Sequence, residues 1–384
     1  MSRKSKNKVH AQSKTTGKKT TIFAQNIELE ALNQFYSAMR NDFAITGALL
    51  PDAHTGYTLP IGGVVGTDHM ILPSWVGYDI GCGMCAIPTG FTAERLIPFT
   101  EIIYKNIYTT VPTGFNSHVH PAKWKSDHLE KSDVLKQIFN KKGLKQLGTL
   151  GSGNHFIELG FDEDEQVWII VHSGSRGLGH DVAGYYMKMA SGDGKAREGH
   201  FGFDVNSING QAYLKDMKFC LAYALENRKR IIDKVMGVIA DTIPGQPLAR
   251  MNKTRLINRN HNHAEFKHGM WIHRKGATQA ENGMSGVIPG NMRDGSFIVE
   301  GLGNPDSLWS SSHGAGRILG RRKAKQQLSL DQFRETMTGI KAKVTSGTLD
   351  ESPFAYKDIF QIMDSQADMV KVLHHIKPII NIKA

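Results

Sequence analysis

Cysteine is scarce in this chain of 384 residues: three thiols, Cys82, Cys85 and Cys220. So sparse and odd a set argues against a disulfide scaffold and for a reducing, cytoplasmic setting. Runs of about 18 apolar residues are missing, so the pattern contains no membrane-spanning helix. Neither G-x-x-x-x-G-K-[ST] nor G-x-S-x-G occurs, which removes a P-loop and a hydrolase nucleophile elbow. No internal repeat and no linker divides the chain, which reads as one elaborated domain over residues 21–384. Acids are absent from the first twenty residues, which hold Arg3, Lys4, Lys6, Lys8, Lys14, Lys18 and Lys19 and supply much of the formal charge of +11. Residues 1–20 therefore read as a basic, disordered arm, either touching nucleic-acid phosphates or simply solvated. The arm has neither the apolar core of a secretion signal nor the stripe of an amphipathic transit helix.

What is present mixes helices and strands without regular alternation, which predicts an α+β fold. Leu29, Leu32, Phe35, Tyr36 and Met39 recur at helical spacing, and residues 45–50 read as a buried strand followed by a turn-rich "PDAHTG". Residues 101–145 look helical and loop-like, with a basic stretch from 123 to 145. Residues 167–172 ("VWIIVH") and 296–300 ("SFIVE") read as strands. Apolar positions from Tyr213 to Ile239 give a long amphipathic helix, ended by Pro244-Gly245 and holding Cys220 as a core residue. Two helices are expected to close the chain, one after Ser329, where Ser329-x-x-Gln332 resembles a capping box, and one over 357–375.

The chemistry sits in loops. "DIGCG" (79–83), "GSGNHFIE" (151–158), "VHSGSRG" (171–177), "NRNHNH" (258–263) and "SSSHGAGR" (310–317) each set a ligand or nucleophile among small residues that allow close backbone approach. Most of the 17 histidines must be ordinary, but His172 ends an apolar strand and His155 follows a glycine turn, places where sites are commonly built. Cys82-x-x-Cys85 lacks the βαβ context of a redox pair, and no second cysteine pair completes a structural zinc site. A mixed site of Cys82 with carboxylate and imidazole ligands remains, suited to Mn, Fe or Zn.

The stretches "VGYDIGCGM", "LGTLGSGNHFIE", "VHSGSRGLG", "HRKGA", "GVIPGNM", "SSSHGAGR" and "AYKDI" resemble, in order, the successive motifs of the RtcB family. These are GTP-dependent RNA ligases that join 3′-phosphate or 2′,3′-cyclic phosphate ends to 5′-hydroxyl ends. The likeness runs from about Asn26 to the C-terminus and implies a single catalytic domain of mixed sheets with surrounding helices. It implies two manganese ions held by Asp79, Cys82, His155, His172 and His261, with the thiolate bridging, and His313 as the residue that becomes guanylylated. GTP contacts are implied for Asn154, His155, Phe156, Ile157, Glu158, His261, Asn262, Pro289, Gly290, Asn291, Met292, Ser296, His313, Gly314, Ala315, Gly316, Tyr356 and Lys383. Arg176, Lys275, Arg317 and Arg322 are candidates for RNA or nucleotide phosphates.

Departures from the family pattern are Cys85 for a usual asparagine, Asn291 for a serine, Tyr57 for a lysine, and Lys383-Ala384 for lysine-glycine. Cys85 is thereby a second thiol near the metals or an oxidation liability. The partners implied are broken tRNA or rRNA and an activating archease-like protein, with RNA repair favoured over splicing. Two other readings are a metal-dependent phosphoesterase acting on cyclic phosphate ends and a non-catalytic RNA-binding relative.

Overall fold

The computed structural model describes residues 17–244 and 253–384. Its largest element is an eight-stranded sheet. Seven strands follow the order Ser285–Pro289, Ser296–Gly301, Val370–Lys383, Phe156–Phe161, Gln166–Ser173, Gly83–Thr92 and Ile257–Asn260, each antiparallel to its neighbour, and Lys341–Ala342 joins Val370–Lys383 in parallel. A five-stranded sheet runs Lys19–Ile22, Ala44–His54, Ile61–Thr67, Met270–Lys275, Asn262–Lys267, and the helix Leu29–Met39 covers it with Phe35, Ala38 and Met39. The expected α+β class is what the chain forms.

Gln166–Ser173 shows why the centre of the large sheet reads as an unbroken apolar run. Val167, Ile169 and Val171 face one cluster, which includes Ile231, Ile232, Val235 and Ile239 of the long helix Ile208–Thr242, while Trp168 and Ile170 face a second cluster on the other side. A strand covered on both faces has no polar face to alternate with. Each such side chain contributes on the order of 1.5–3 kcal/mol by leaving water. Ser207 caps the helix by accepting from Gly210 N, and Ser329 Oγ likewise accepts from Gln332 N.

Four expectations are corrected. Lys19 and Thr20, counted with the basic arm, pair with Thr46 and Gly47 in a strand, so the fold begins before residue 21; residues 1–16 lie outside the described residues. "PDAH" is not a turn but the end of Ala44–His54, extended past a register shift to pair His54 with Ile61. The helix expected over 357–375 stops at Ser365, and Val370–Lys383 crosses the middle of the large sheet, its register shifting at Pro378, whose missing N–H cannot join a ladder. Cys85 lies on the helix-facing side of its strand in the apolar cluster, where burial pushes its thiol up to about 12. It is an inert core group and not a second thiol at the metals. Among the described residues, no helix is long and apolar enough to cross a membrane.

Candidate active site

Antiparallel pairing decides where the candidate ligands meet. Cys82 precedes Gly83–Thr92, His172 lies near the end of Gln166–Ser173, His155 precedes Phe156–Phe161, and His261 follows Ile257–Asn260. The register pairs Gly83 with both Ser173 and Asn260, and Phe156 with His172. Starts and ends of neighbouring strands therefore alternate along one edge of the sheet, and four ligands distant in sequence converge there.

Cys82 Sγ lies 3.2 Å from His172 Nε2 and 3.4 Å from His155 Nε2. His155 Nε2 is 3.0 Å from Asp79 Oδ2, and His172 Nε2 is 3.2 Å from His261 Nε2. The opposite ring nitrogens are committed: His155 Nδ1 donates to the Leu150 carbonyl (3.0 Å) and His172 Nδ1 to that of Asn154 (3.2 Å). Backbone carbonyls fix ligand tautomers in this way in metal sites. With those protons spent, the Nε2 lone pairs and the Asp79 carboxylate face one another across a thiol, an acceptor-rich arrangement that a divalent cation resolves.

Burial holds the His172 and His261 rings well below the usual imidazole range, so both are neutral, as ligands must be. Burial and the Asp79 charge push the Cys82 thiol up. Burial works against charge on Asp79 as well, but the His155 ring and the Cys82 thiol beside it keep the carboxyl below the ordinary range. The donor set of thiolate, imidazole and carboxylate fits the ions expected from softness.

The long helix braces this edge with two consecutive polar residues on its buried side. Arg228 has no carboxylate partner among the described residues; it donates from Nε to Asn258 (2.7 Å), from Nη1 to the carbonyls of Gly81 and Ser173 (2.8 Å each), and from Nη2 to Asn260 (2.7 Å). Asn227 accepts from Gly148 N (2.7 Å) and Thr149 N (3.2 Å) and donates to Thr149 O (3.1 Å). Ligand loops are thus tied to one rigid rod. Gly174 lets Asp79 in: a Cβ there would sit 2.1 Å from Asp79 Oδ1.

His313 stands beside the cluster, its ring centroid 4.9 Å from that of His261. Its Nδ1 donates to the buried Asp52 Oδ2 (2.6 Å), which also accepts from the His313 backbone N (3.1 Å). The proton on Nδ1 leaves Nε2 with a bare lone pair. Gly316, at φ +74, is required here because a Cβ would meet the Asp52 carbonyl at 2.3 Å.

A cavity of about 280 Å³ opens from His172 and His313. It is lined by Asn154, Phe156, Glu158, Pro289, Gly290, Asn291, Met292, Gly314, Ala315, Gly316, Tyr356 and Lys383, all candidates for the nucleotide, and also by His54, Arg317, Arg321, Glu351 and Asn381. Four nucleotide candidates, His155, His261, Asn262 and Ser296, adjoin it or the cation cluster without lining it. The Ile157 side chain does not line it: strand alternation turns that side chain into the core cluster opposite Phe156 and Glu158. Asn291 closes a turn, donating to Asp294 (2.7 Å) while accepting from two backbone N–H groups (3.0 Å each).

Charge in this cavity is strongly organised. Burial alone would raise the Glu351 carboxyl, but Lys383, Arg321 and Arg317 hold it down at about 2. Lys383 Nζ pairs directly with Glu351, Tyr356 donates to it (2.8 Å), and Arg317 lies over the Tyr356 ring at 4.9 Å. Arg317 is thus held in a buried ion network at the cavity wall. Glu158 is the opposite case: burial pushes its carboxyl up to about 7, against a hydrogen bond from Asn381 Nδ2 (3.3 Å). The unfolded chain releases this proton near 4.5 and the folded protein keeps it to about 7, so between these values folding binds a proton and stability falls as pH rises. Glu158→Gln is expected to lack that slope. Urea denaturation of the nucleotide-free protein should show the variant gaining about 3 kcal/mol on the wild type across this window.

Of the other phosphate candidates, Arg176 lines a second cavity on the Asp79 and His155 side of the cluster. Lys275 is buried and donates to Ser74 O (3.3 Å) below Tyr57, and Arg322 is exposed on a surface helix. Asp52, Arg228 and Glu351 were not singled out from sequence. Arg228 did carry a signal, since Leu221, Leu225, Arg228, Ile232, Val235 and Ile239 place a cation in the apolar stripe.

Fold and site together define an α+β protein with a buried cysteine–histidine cluster able to hold a cation, set beside a carboxylate-held histidine that lines a cavity. The chain matches the family described as tRNA-splicing ligase RtcB over residues 36–141 and 124–384. It is 34% identical over 396 residues to the RNA-splicing ligase RtcB of Escherichia coli (strain K12), covering 93% of this chain and 95% of that protein. It is 28% identical to the tRNA-splicing ligases RtcB of Nanoarchaeum equitans, over 87% of each chain, and of Thermococcus kodakarensis, over 86% of each. The chain belongs to the RtcB family.

Proposed function

We propose that this protein is a GTP- and Mn-dependent RNA ligase that joins 3′-phosphate or 2′,3′-cyclic phosphate ends to 5′-hydroxyl ends through His313. The observation that carries the reading is the Asp52–His313 pair, which leaves a bare Nε2 on a residue lining a cavity that reaches His172 of the Cys82, His155 and His172 cluster. Bound by Asp79, Cys82, His155, His172 and His261, manganese supplies the positive charge that an α-phosphate and a departing pyrophosphate need.

His313 Nε2 attacks the α-phosphorus of GTP; an N–P bond forms, the bond to pyrophosphate breaks, and Asp52 stabilises the charge gained by the ring. An oxygen of the RNA 3′-phosphate then takes GMP from Nε2, giving an RNA-diphosphate-guanosine end. The 5′-hydroxyl oxygen attacks the RNA-side phosphorus, and GMP leaves. A cyclic end is first opened by water. Phe156, Glu158 and Tyr356 line the place for guanosine, with Tyr356 against the base, while the Lys383–Glu351 pair is positioned to exchange partners as the nucleotide enters. Broken tRNA or rRNA in the cytoplasm is the substrate this chemistry serves, with repair the favoured setting and an archease-like activator the expected partner.

The test is incubation with α-labelled GTP and Mn²⁺. The wild type should acquire label that survives alkali and is lost in acid, as a phosphorus–nitrogen bond requires. A wild type that takes up none overturns the ligase reading, and cleavage of cyclic phosphate ends without GTP would mark a phosphoesterase.

A further inference from the structure

The second cavity, of about 420 Å³, shares the cation cluster with the first but approaches it through Asp79 and His155. Its rim carries unusual aromatic surface. Phe115 is 95% exposed, a state that costs hydrophobic free energy and that nothing in the core requires. Tyr78 and His180 form a stacked pair with centroids 4.9 Å apart and planes at 23°.

The loop under Phe115 is pinned. Arg176 Nη2 donates to the Gly114 carbonyl (2.9 Å), Arg176 Nε to Thr149 Oγ1 (3.1 Å), and Gly114 N to the Gly151 carbonyl (2.8 Å). An exposed ring on a loop tied to a cation beside two metal ligands is a shelf built for a flat ligand that brings negative charge. Lys142 and Asp181 pair with each other at the rim and cancel, so Arg176 is the remaining cation of the lining, facing the Asp79 carboxylate that the metal would engage. Residues 123–145, which flank this side, hold seven lysines against three acids.

We propose that this cavity receives the terminal nucleotide of the RNA strand that ends in a 3′-phosphate, with its base stacked on Phe115 beside the Tyr78–His180 pair and its phosphate directed past Arg176 toward the cations. The assignment rests on the ligase reading above and adds a subsite to it. Stacking accepts any base, so the end is taken without regard to sequence. The two cavities then bring nucleotide and RNA to the cluster from different sides.

The experiment uses the full chain and a short fluorescein-labelled single-stranded oligoribonucleotide with a 3′-phosphate, titrated by anisotropy. Phe115→Ala should weaken binding about tenfold with an unchanged Tm, since the ring packs against little, and Phe115→Trp should restore it. An oligonucleotide whose terminal nucleoside is abasic should lose the same factor on the wild type and nothing further on Phe115→Ala. Equal affinity of wild type and Phe115→Ala, or losses that add, overturns the subsite. GMP labelling of the wild type reports separately on the ligase reading: labelling with no effect at Phe115 removes the subsite alone, and an effect at Phe115 without labelling removes the ligase alone.

Discussion

His313→Ala should carry no covalent GMP, and Asp52→Ala should acquire it at least ~10³-fold more slowly than the wild type, the order seen when a catalytic histidine loses its orienting carboxylate. Asp52 Oδ2 holds both the ring and the backbone of His313. Without it the ring is free to rotate and to place its proton on Nε2, where the lone pair is needed. Burial opposes charge on Asp52, and the His313 ring nonetheless keeps its carboxyl below the ordinary range, so a negative charge is available to balance the ring when it becomes positive. Asp52→Asn, which keeps an oxygen acceptor but removes the charge, should fall between. The measurement is the single-turnover rate of label transfer from GTP across pH, with metal content determined beside it. An orienting role predicts a lower rate and an altered pH profile at unchanged metal content. Wild-type rates in Asp52→Ala would show that His313 needs no orientation.

Cys82→Ser is expected to lose most of its bound manganese. Sγ touches both His155 and His172, and a smaller, less acidic hydroxyl neither reaches nor readily ionises in the same buried place. Even residues that merely orient a ligand alter metal affinity by about 10- to 100-fold, and loss of a shared ligand should exceed that. Elemental analysis after dialysis and the manganese EPR signal read the effect without relying on turnover. His261→Ala should lose less, because its Nε2 meets the cluster only through His172 among the contacts described. Full metal content in Cys82→Ser would remove the thiolate from the centre.

Much of this site was legible because its ligands sit in glycine-flanked motifs at strand ends, where local sequence and chemistry coincide. Cys82, His155 and His172 could be singled out before any pairing was known, His261 came only with the family resemblance, and the pairing brought them together. Asp52 was not legible: "PDAH" carries turn residues, and only its long-range pairing to Ile61 and the approach of His313 reveal a strand end with a job. The C-terminal segment misled for a different reason. Ile359, Ile362, Met363, Met369, Val370 and Leu373 keep helical spacing past the true helix end, and the strand is selected by two partners remote in sequence, Phe156–Phe161 and Ser296–Gly301. Ile157 was carried along with its motif, although alternation along a strand turns every second side chain away.

The convergence of ligands on one sheet edge also bears on when metal is chosen. Cys82, the hairpin that carries His155 and His172, and His261 are separated by long stretches of chain, so loop-closure entropy is overcome before those three parts meet. A partly folded polypeptide offers its thiols and imidazoles singly, as weak and unselective traps. The finished edge, braced by Arg228, presents them together. A cation that needs all of these donors at once is therefore offered them by the folded sheet and by no shorter segment of the chain.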